Sequence, residues 1–157
     1  MLDRRRFIVA LGAAGTALAA RTAAAEPAQP KVVVTKDPNC GCCGGWVDHM
    51  RAAGFPVDVV ATPEVNRIKA RLGVPHDLAS CHTAEVGGYV IEGHVPADAI
   101  KRLLAEKPQA KGLAVPGMPI GSPGMEVEGV APDTYEVVLF GSSGQTTFAR
   151  YQGLQAM

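Results

Sequence analysis

Three of the chain's four cysteines fall within four residues, Cys40-Gly41-Cys42-Cys43, and a β-branched run leads directly into them. That run, Lys31-Val32-Val33-Val34-Thr35-Lys36, is predicted to form a buried strand. Asp37-Pro38-Asn39 breaks it. From about Cys43 to Ala53 the apolar positions recur at helical spacing, with Cys43, Val47 and Met50 on one face and Trp46 and Ala53 beside them. Asp48, His49 and Arg51 are predicted to point outward, and Gly54 to close the helix. The cysteines therefore fall at a strand-to-helix turn. Unpaired backbone N–H groups and the positive end of the helix dipole favour thiolate there. Gly41, Gly44 and Gly45 cost roughly 1 kcal/mol each inside a helix, which fits a backbone that must wrap closely around something.

The pattern continues with a strand over Phe55 to Ala61 and a helix opened by Thr62-Pro63, with Val65, Ile68 and Leu72 as its apolar stripe. Gly73-Val74-Pro75 ends that helix. Cys81 to Val86 and Tyr89 to Glu92, joined by Gly87-Gly88, read as a tight hairpin. Pro96 opens a third helix with Ile100, Leu103 and Leu104 inward, stopped before Pro108. A strand–helix–strand start favours parallel pairing with a right-handed crossover. The order predicts an α/β, thioredoxin-like single domain with a βαβαββα core. Residues 109–134, rich in proline and glycine, are expected as an added loop without regular structure. Tyr135 to Phe140 and Thr146 to Tyr151 are expected as a C-terminal β-hairpin.

Residues 1–25 read as an export signal peptide. Arg4-Arg5-Arg6-Phe7 precedes the apolar run Ile8 to Ala20, and Ala23-Ala24-Ala25 offers the small residues of a cleavage site. The arginine pair is similar to a twin-arginine signal, with Asp3 where serine or threonine is usual. The apolar run is shorter than the ~20 residues of a spanning helix, so no permanent membrane span is expected. Residues 26–30 form a short leader, 31–151 the metal-binding domain and 152–157 a C-terminal tail. The whole chain has 15 basic and 15 acidic residues; losing four arginines and Asp3 leaves 11 against 14, a net of −3. That balance is no footprint for nucleic acid. Export places the protein in the periplasm, where neighbouring thiols oxidise unless a soft metal or a disulfide protects them.

Thiolate-rich sites select Cu(I), zinc or iron–sulfur centres. Cys81, in Ser80-Cys81-His82-Thr83, is placed by a thioredoxin-like layout beside the first helix's N-terminus, so four sulfurs are expected to meet. Three adjacent thiolates suit the bridging of several Cu(I) ions. A single structural zinc is the alternative, although Cys42 intrudes between Cys40 and Cys43 and Cys81 has no paired partner. The spacing matches no common iron–sulfur pattern. Cys40-x-x-Cys43 at a helix start also fits a thiol–disulfide oxidoreductase, but Cys42 would compete for mixed disulfides and the Cys81 segment lacks a cis-proline candidate.

The motifs Asp37-Pro38-x-Cys40-Gly41-Cys42-Cys43-x-x-Trp46, Gly73-Val74-Pro75 and Ser80-Cys81-His82-Thr83 belong together with two longer ones. These are Gly88-Tyr89-Val90-Ile91-Glu92-Gly93-His94-Val95-Pro96 and Pro116-Gly117-Met118-Pro119-x-Gly121-Ser122-Pro123-Gly124-Met125-Glu126. The set resembles the CopG-like family, exported bacterial proteins linked to copper resistance, over about Val32 to Phe140. The resemblance implies a thioredoxin-like fold and a cysteine-ligated copper site, with Cys40, Cys42, Cys43 and Cys81 carried over by position.

His82 is a further candidate ligand or hydrogen-bond partner. Alternation along a strand argues that Cys81 and His82 do not both face the metal. His94 is a candidate ligand or a helix-end polar contact. Met118 and Met125 offer thioethers, which suit Cu(I), or else pack the loop onto the core. That loop is expected to lid the cluster. His49 is expected to be solvated, His76 to lie in a loop and Trp46 to fill the core. The sequence thus points to a periplasmic protein whose partners are copper ions and other periplasmic copper proteins. Oxidation of a cysteine pair could be coupled to reduction of copper. No Ser/His/Asp set, carboxylate pair or phosphate loop is present to suggest hydrolysis or nucleotide use.

Overall fold

Val32 and Val34 are wholly buried on a strand, β1 (Val32–Lys36), that lies inside a single eight-stranded sheet. The computed structural model describes residues 28–157; the expected signal segment and the start of the expected leader lie outside the described residues. After β1 come α1 (Gly41–Ala52), β2 (Val57–Ala61), α2 (Val65–Leu72) and a short 3₁₀ turn, His76–Leu78. Then follow the hairpin β3 (His82–Val86) and β4 (Tyr89–Glu92), and α3 (Ala97–Glu106). Strands β5 (Gly112–Ala114), β6 (Thr134–Gly141), β7 (Gly144–Gln152) and β8 (Gln155–Ala156) complete a mixed α/β domain. None of the described helices is long and apolar enough to cross a membrane.

The strand order is β2-β1-β3-β4-β5-β6-β7-β8. β1 runs parallel to β2 and antiparallel to β3, with Lys36 opposite His82. Side chains alternate between the two faces. Ile91 joins a large cluster with Val32, Val34, Trp46, Met50, Ile100 and Leu103, which lies under α1 and α3. Its neighbour Val90 joins Leu78, Ala114 and Phe140 on the other face, where Leu72 of α2 packs. Burying side chains of this size stabilises by about 1.5–3 kcal/mol each.

α1 begins two residues before the expected Cys43, so Gly41 and Cys42 belong to its first turn. Its buried face is Cys43, Trp46, Val47 and Met50, and the Trp46 indole N–H donates to the Val95 carbonyl at 2.9 Å. α2 buries Val65 and Lys69, while Ile68 and Leu72, expected on its apolar stripe, stay half-exposed.

Two segments differ from the sequence reading. The expected loop 109–134 contains β5, which pairs parallel with β4 and antiparallel with β6. Gly112 makes that pairing possible, since a Cβ there would sit 1.7 Å from the Val90 carbonyl oxygen. The expected tail contains β8, which returns antiparallel onto β7. The C-terminal hairpin therefore extends the main sheet through β5.

Candidate metal centre

The turn after β1 is built by Asp37, whose carboxylate accepts the Asn39 N–H at 2.8 Å and whose carbonyl accepts the Cys40 N–H at 3.1 Å. This turn delivers Cys40 to the start of α1. Cys40 and Cys43 are joined as a disulfide, with Cα atoms 5.5 Å apart, while Cys42 and Cys81 carry free thiols. Cys42 Sγ lies 3.6 Å from Cys40 Sγ and 3.9 Å from Cys81 Sγ. All four sulfurs fall within 4.8 Å of one another. The structure thus brings together every cysteine singled out in the sequence, with two of them covalently paired.

A second group overlaps the first. Cys81 Sγ is 2.9 Å from His94 Nε2 and 3.4 Å from His82 Nδ1. The argument from strand alternation fails here because Cys81 sits in a bend just before β3, where side chains are not constrained to opposite faces. His94 Nδ1 lies 2.8 Å from the Pro123 carbonyl. A carbonyl only accepts, so Nδ1 carries the proton and the Nε2 lone pair faces the Cys81 sulfur. Burial holds His94 below the ordinary imidazole range and His82 well below it, so both rings are neutral. The His82 ring rests 4.5 Å from Trp46 and meets the His94 ring edge-on at 5.0 Å. Its Nε2 is buried and has no hydrogen-bond partner among the described residues.

Burial, reinforced by Cys42, pushes the Cys81 thiol up to about 11. Metal-free Cys81 therefore keeps its proton and donates a hydrogen bond to the His94 Nε2 lone pair. A metal bound there would replace that proton, because a coordinated thiol ionises. Sulfur and neutral imidazole suit soft and borderline ions.

The loop after β5 lies against this site. The Ser80 hydroxyl, next to Cys81, donates to the Gly117 carbonyl. Pro123 anchors His94, and Gly124 rests on the first turns of α1. A Cβ on Gly45 would lie 2.9 Å from Gly124 Cα, and a Cβ on Gly124 would lie 2.5 Å from the Trp46 nitrogen. Here the glycines permit contact between two backbones. Met118 of the loop is exposed and Met125 half-buried.

One expectation changes. His49 is half-buried, and its Nε2 accepts the Ala97 N–H at 3.1 Å, so it satisfies the start of α3 rather than water. Pro123, Ser80 and the buried pair Lys69–Glu92 had not been singled out as parts of the site. The visible signal for the pair was a glutamate inside the otherwise apolar run Tyr89-Val90-Ile91-Glu92.

The family model described as "Protein of unknown function, DUF411" matches residues 78–125, which include Cys81, His82, His94 and the loop. No curated protein sequence matches the chain significantly. Two solved structures are similar to it. Copper resistance protein CopG, Form 2, shares 44% identity at a TM-score of 0.74, covering 78% of this chain and 98% of that one. Form 1 of the same protein shares 44% identity at a TM-score of 0.74, covering 80% and 99%.

Proposed function

The chain belongs to the CopG-like family of copper resistance proteins, and we propose that it carries copper as cargo at the cluster of Cys40, Cys42, Cys43, Cys81, His82 and His94. The observation that carries this reading is the convergence of four sulfurs, with two neutral imidazoles grouped around one of them, Cys81. Such donors favour Cu(I), and adjacent thiolates favour bridging of several ions. The order β2-β1-β3-β4, with the cysteines at the start of α1, supports a thioredoxin-like reading of the first half of the domain. The arginine-rich, apolar N-terminus supports export to the periplasm. There the protein would hold copper or hand it to other copper proteins.

The Cys40–Cys43 pair adds a redox step. Two thiolates lose one electron each, two Cu(II) ions become Cu(I), and the sulfurs join as a disulfide. Reduction by an external dithiol restores both donors. The test is an anaerobic titration of the reduced protein with Cu(I) and Cu(II), with thiols counted at each point. The reading expects tight Cu(I) uptake with copper–sulfur scattering at the copper X-ray edge. It expects two thiols lost for every two Cu(II) reduced. Zinc bound in preference to copper, one per chain, would overturn it.

The disulfide itself favours a second reading, a thiol–disulfide oxidoreductase using Cys40 and Cys43. That reading expects insulin reduction that needs Cys40 and Cys43 but survives Cys42→Ser and Cys81→Ser.

A further inference from the structure

Glu92 is wholly buried and Lys69 nearly so, on the sheet face that packs α2 rather than the face that holds His82. Lys69 Nζ donates to Glu92 Oε1, and the backbone N–H of Ser80 donates to that same oxygen at 2.6 Å. A buried ion pair is a weak source of stability, because desolvation offsets the attraction; replacing both partners by apolar residues is often neutral or better. Stability alone therefore does not account for this pair. Its geometry does suggest a role.

Ser80 immediately precedes Cys81. Its backbone is held by Glu92 from one side, and its hydroxyl by the Gly117 carbonyl from the other. The end of β4 tightens the arrangement further. The Gly93 N–H donates to the His82 carbonyl at 3.0 Å. Gly93 takes φ 73°, and a Cβ there would meet the Ser80 side chain and the Val115 carbonyl at 2.6 Å. The next residue, His94, presents Nε2 to the Cys81 sulfur. Three consecutive residues, Glu92, Gly93 and His94, thus fix both the bend that carries Cys81 and the imidazole that faces it.

We propose that Glu92, neutralised by Lys69, is a positioning residue that holds the Ser80–Cys81 bend so that the Cys81 sulfur and the His94 imidazole meet a shared copper ion. The proposal rests on the copper reading above. Glu92 touches no donor atom; it acts through the Ser80 N–H. What it supplies is an acceptor oxygen at one point, and Lys69 makes the carboxylate tolerable there.

Two double variants separate the acceptor from the charge. Lys69→Met with Glu92→Gln removes both charges and keeps an oxygen for Ser80. Lys69→Met with Glu92→Leu removes the oxygen as well, and Lys69→Met with Glu92→Met serves where the leucine form does not fold. Circular dichroism and thermal melting select folded variants. The readouts are Ser80 amide hydrogen exchange in metal-free protein, Cu(I) affinity by chelator competition, and sulfur neighbours at the copper edge. The glutamine form is expected to keep Ser80 protection, sulfur count and affinity to within about threefold, whereas the leucine or methionine form loses protection and roughly 10–100-fold in affinity. A folded leucine or methionine form with wild-type protection and affinity overturns the proposal. So does a glutamine form that falls as far as the apolar ones. If the wild-type protein takes up no copper, the functional reading fails, while Ser80 exchange across the variants still judges the positioning role.

Discussion

Cys81 Sγ and His94 Nε2 lie 2.9 Å apart, and the His94 ring is oriented from its far side by the Pro123 carbonyl. Three separate parts of the chain therefore define one donor pair. Cys81→Ser is expected to weaken Cu(I) binding by ~100-fold or more, since loss of a ligand exceeds the 10–100-fold typical of its supporting partners. Competition titration and the loss of a sulfur neighbour at the copper edge check it. Unchanged affinity with an unchanged edge spectrum would refute the shared site.

His94→Ala removes the imidazole that faces Cys81. Copper affinity is expected to drop by roughly 10–100-fold while the fold persists, because the ring lies at the end of the hairpin rather than within the main apolar cluster. His94→Gln should fall between the two, since it keeps a polar group without the imidazole lone pair. An equal loss with Gln and Ala would leave the ring's aimed nitrogen without a special role.

The Cys40–Cys43 disulfide withdraws two donors, leaving Cys42 and Cys81 as free thiols. Air-oxidised protein is expected to bind less copper than protein reduced and handled without air. Addition of a phosphine reductant should restore the lost copper uptake. Thiol titration beside metal analysis is the measurement, and equal stoichiometry in both states would contradict it.

His49 Nε2 accepts the Ala97 N–H, and burial lowers its pKa from the ordinary 6.5. The folded state then binds fewer protons than the unfolded state, so this histidine's contribution is fully present above pH 6.5 and fades as pH falls through the depressed value. Denaturant titrations at neutral and mildly acidic pH should show the loss. His49→Gln, which keeps a neutral acceptor, should flatten it; a pH slope unchanged by that substitution would remove His49 from the account.

Gly124 takes φ 85°, and its backbone presses on α1 at Trp46 and Cys42. Gly124→Ala forces the loop away and is expected to cost about 1–3 kcal/mol in stability. It should also release Pro123 from His94 and weaken copper binding alongside. Thermal melting with copper competition checks both, and an alanine variant as stable as wild type would show that the loop yields freely.

The parts of the fold with strong local pattern were visible in the sequence. Val32 to Lys36, the hairpin around Gly87-Gly88, and the helix opened after Pro96 stand close to where they were expected. β5 was hidden because three residues carry no periodicity, and its reason for existing is a glycine's fit against Val90 across the sheet. His49 was misread because its partner, the Ala97 N–H, is distant in the chain. At the site, residue type announced the four cysteines and the Cys40-x-x-Cys43 spacing marked the pair that is joined, but the sequence does not encode its redox state. The same limit hid Pro123, whose contribution is a main-chain oxygen that any residue could offer in composition but one loop path supplies in space.

Strand β5 is three residues long, yet it stitches the cysteine-bearing half of the sheet to the C-terminal hairpin. The chain departs from its end, packs against Ser80, His94 and the first turns of α1, and comes back one strand away, at β6. This loop is therefore sewn into the sheet at both hems. Beyond Ala114 the chain has neither cysteine nor histidine, but that stretch still governs how firmly the loop is tethered against His94 and α1.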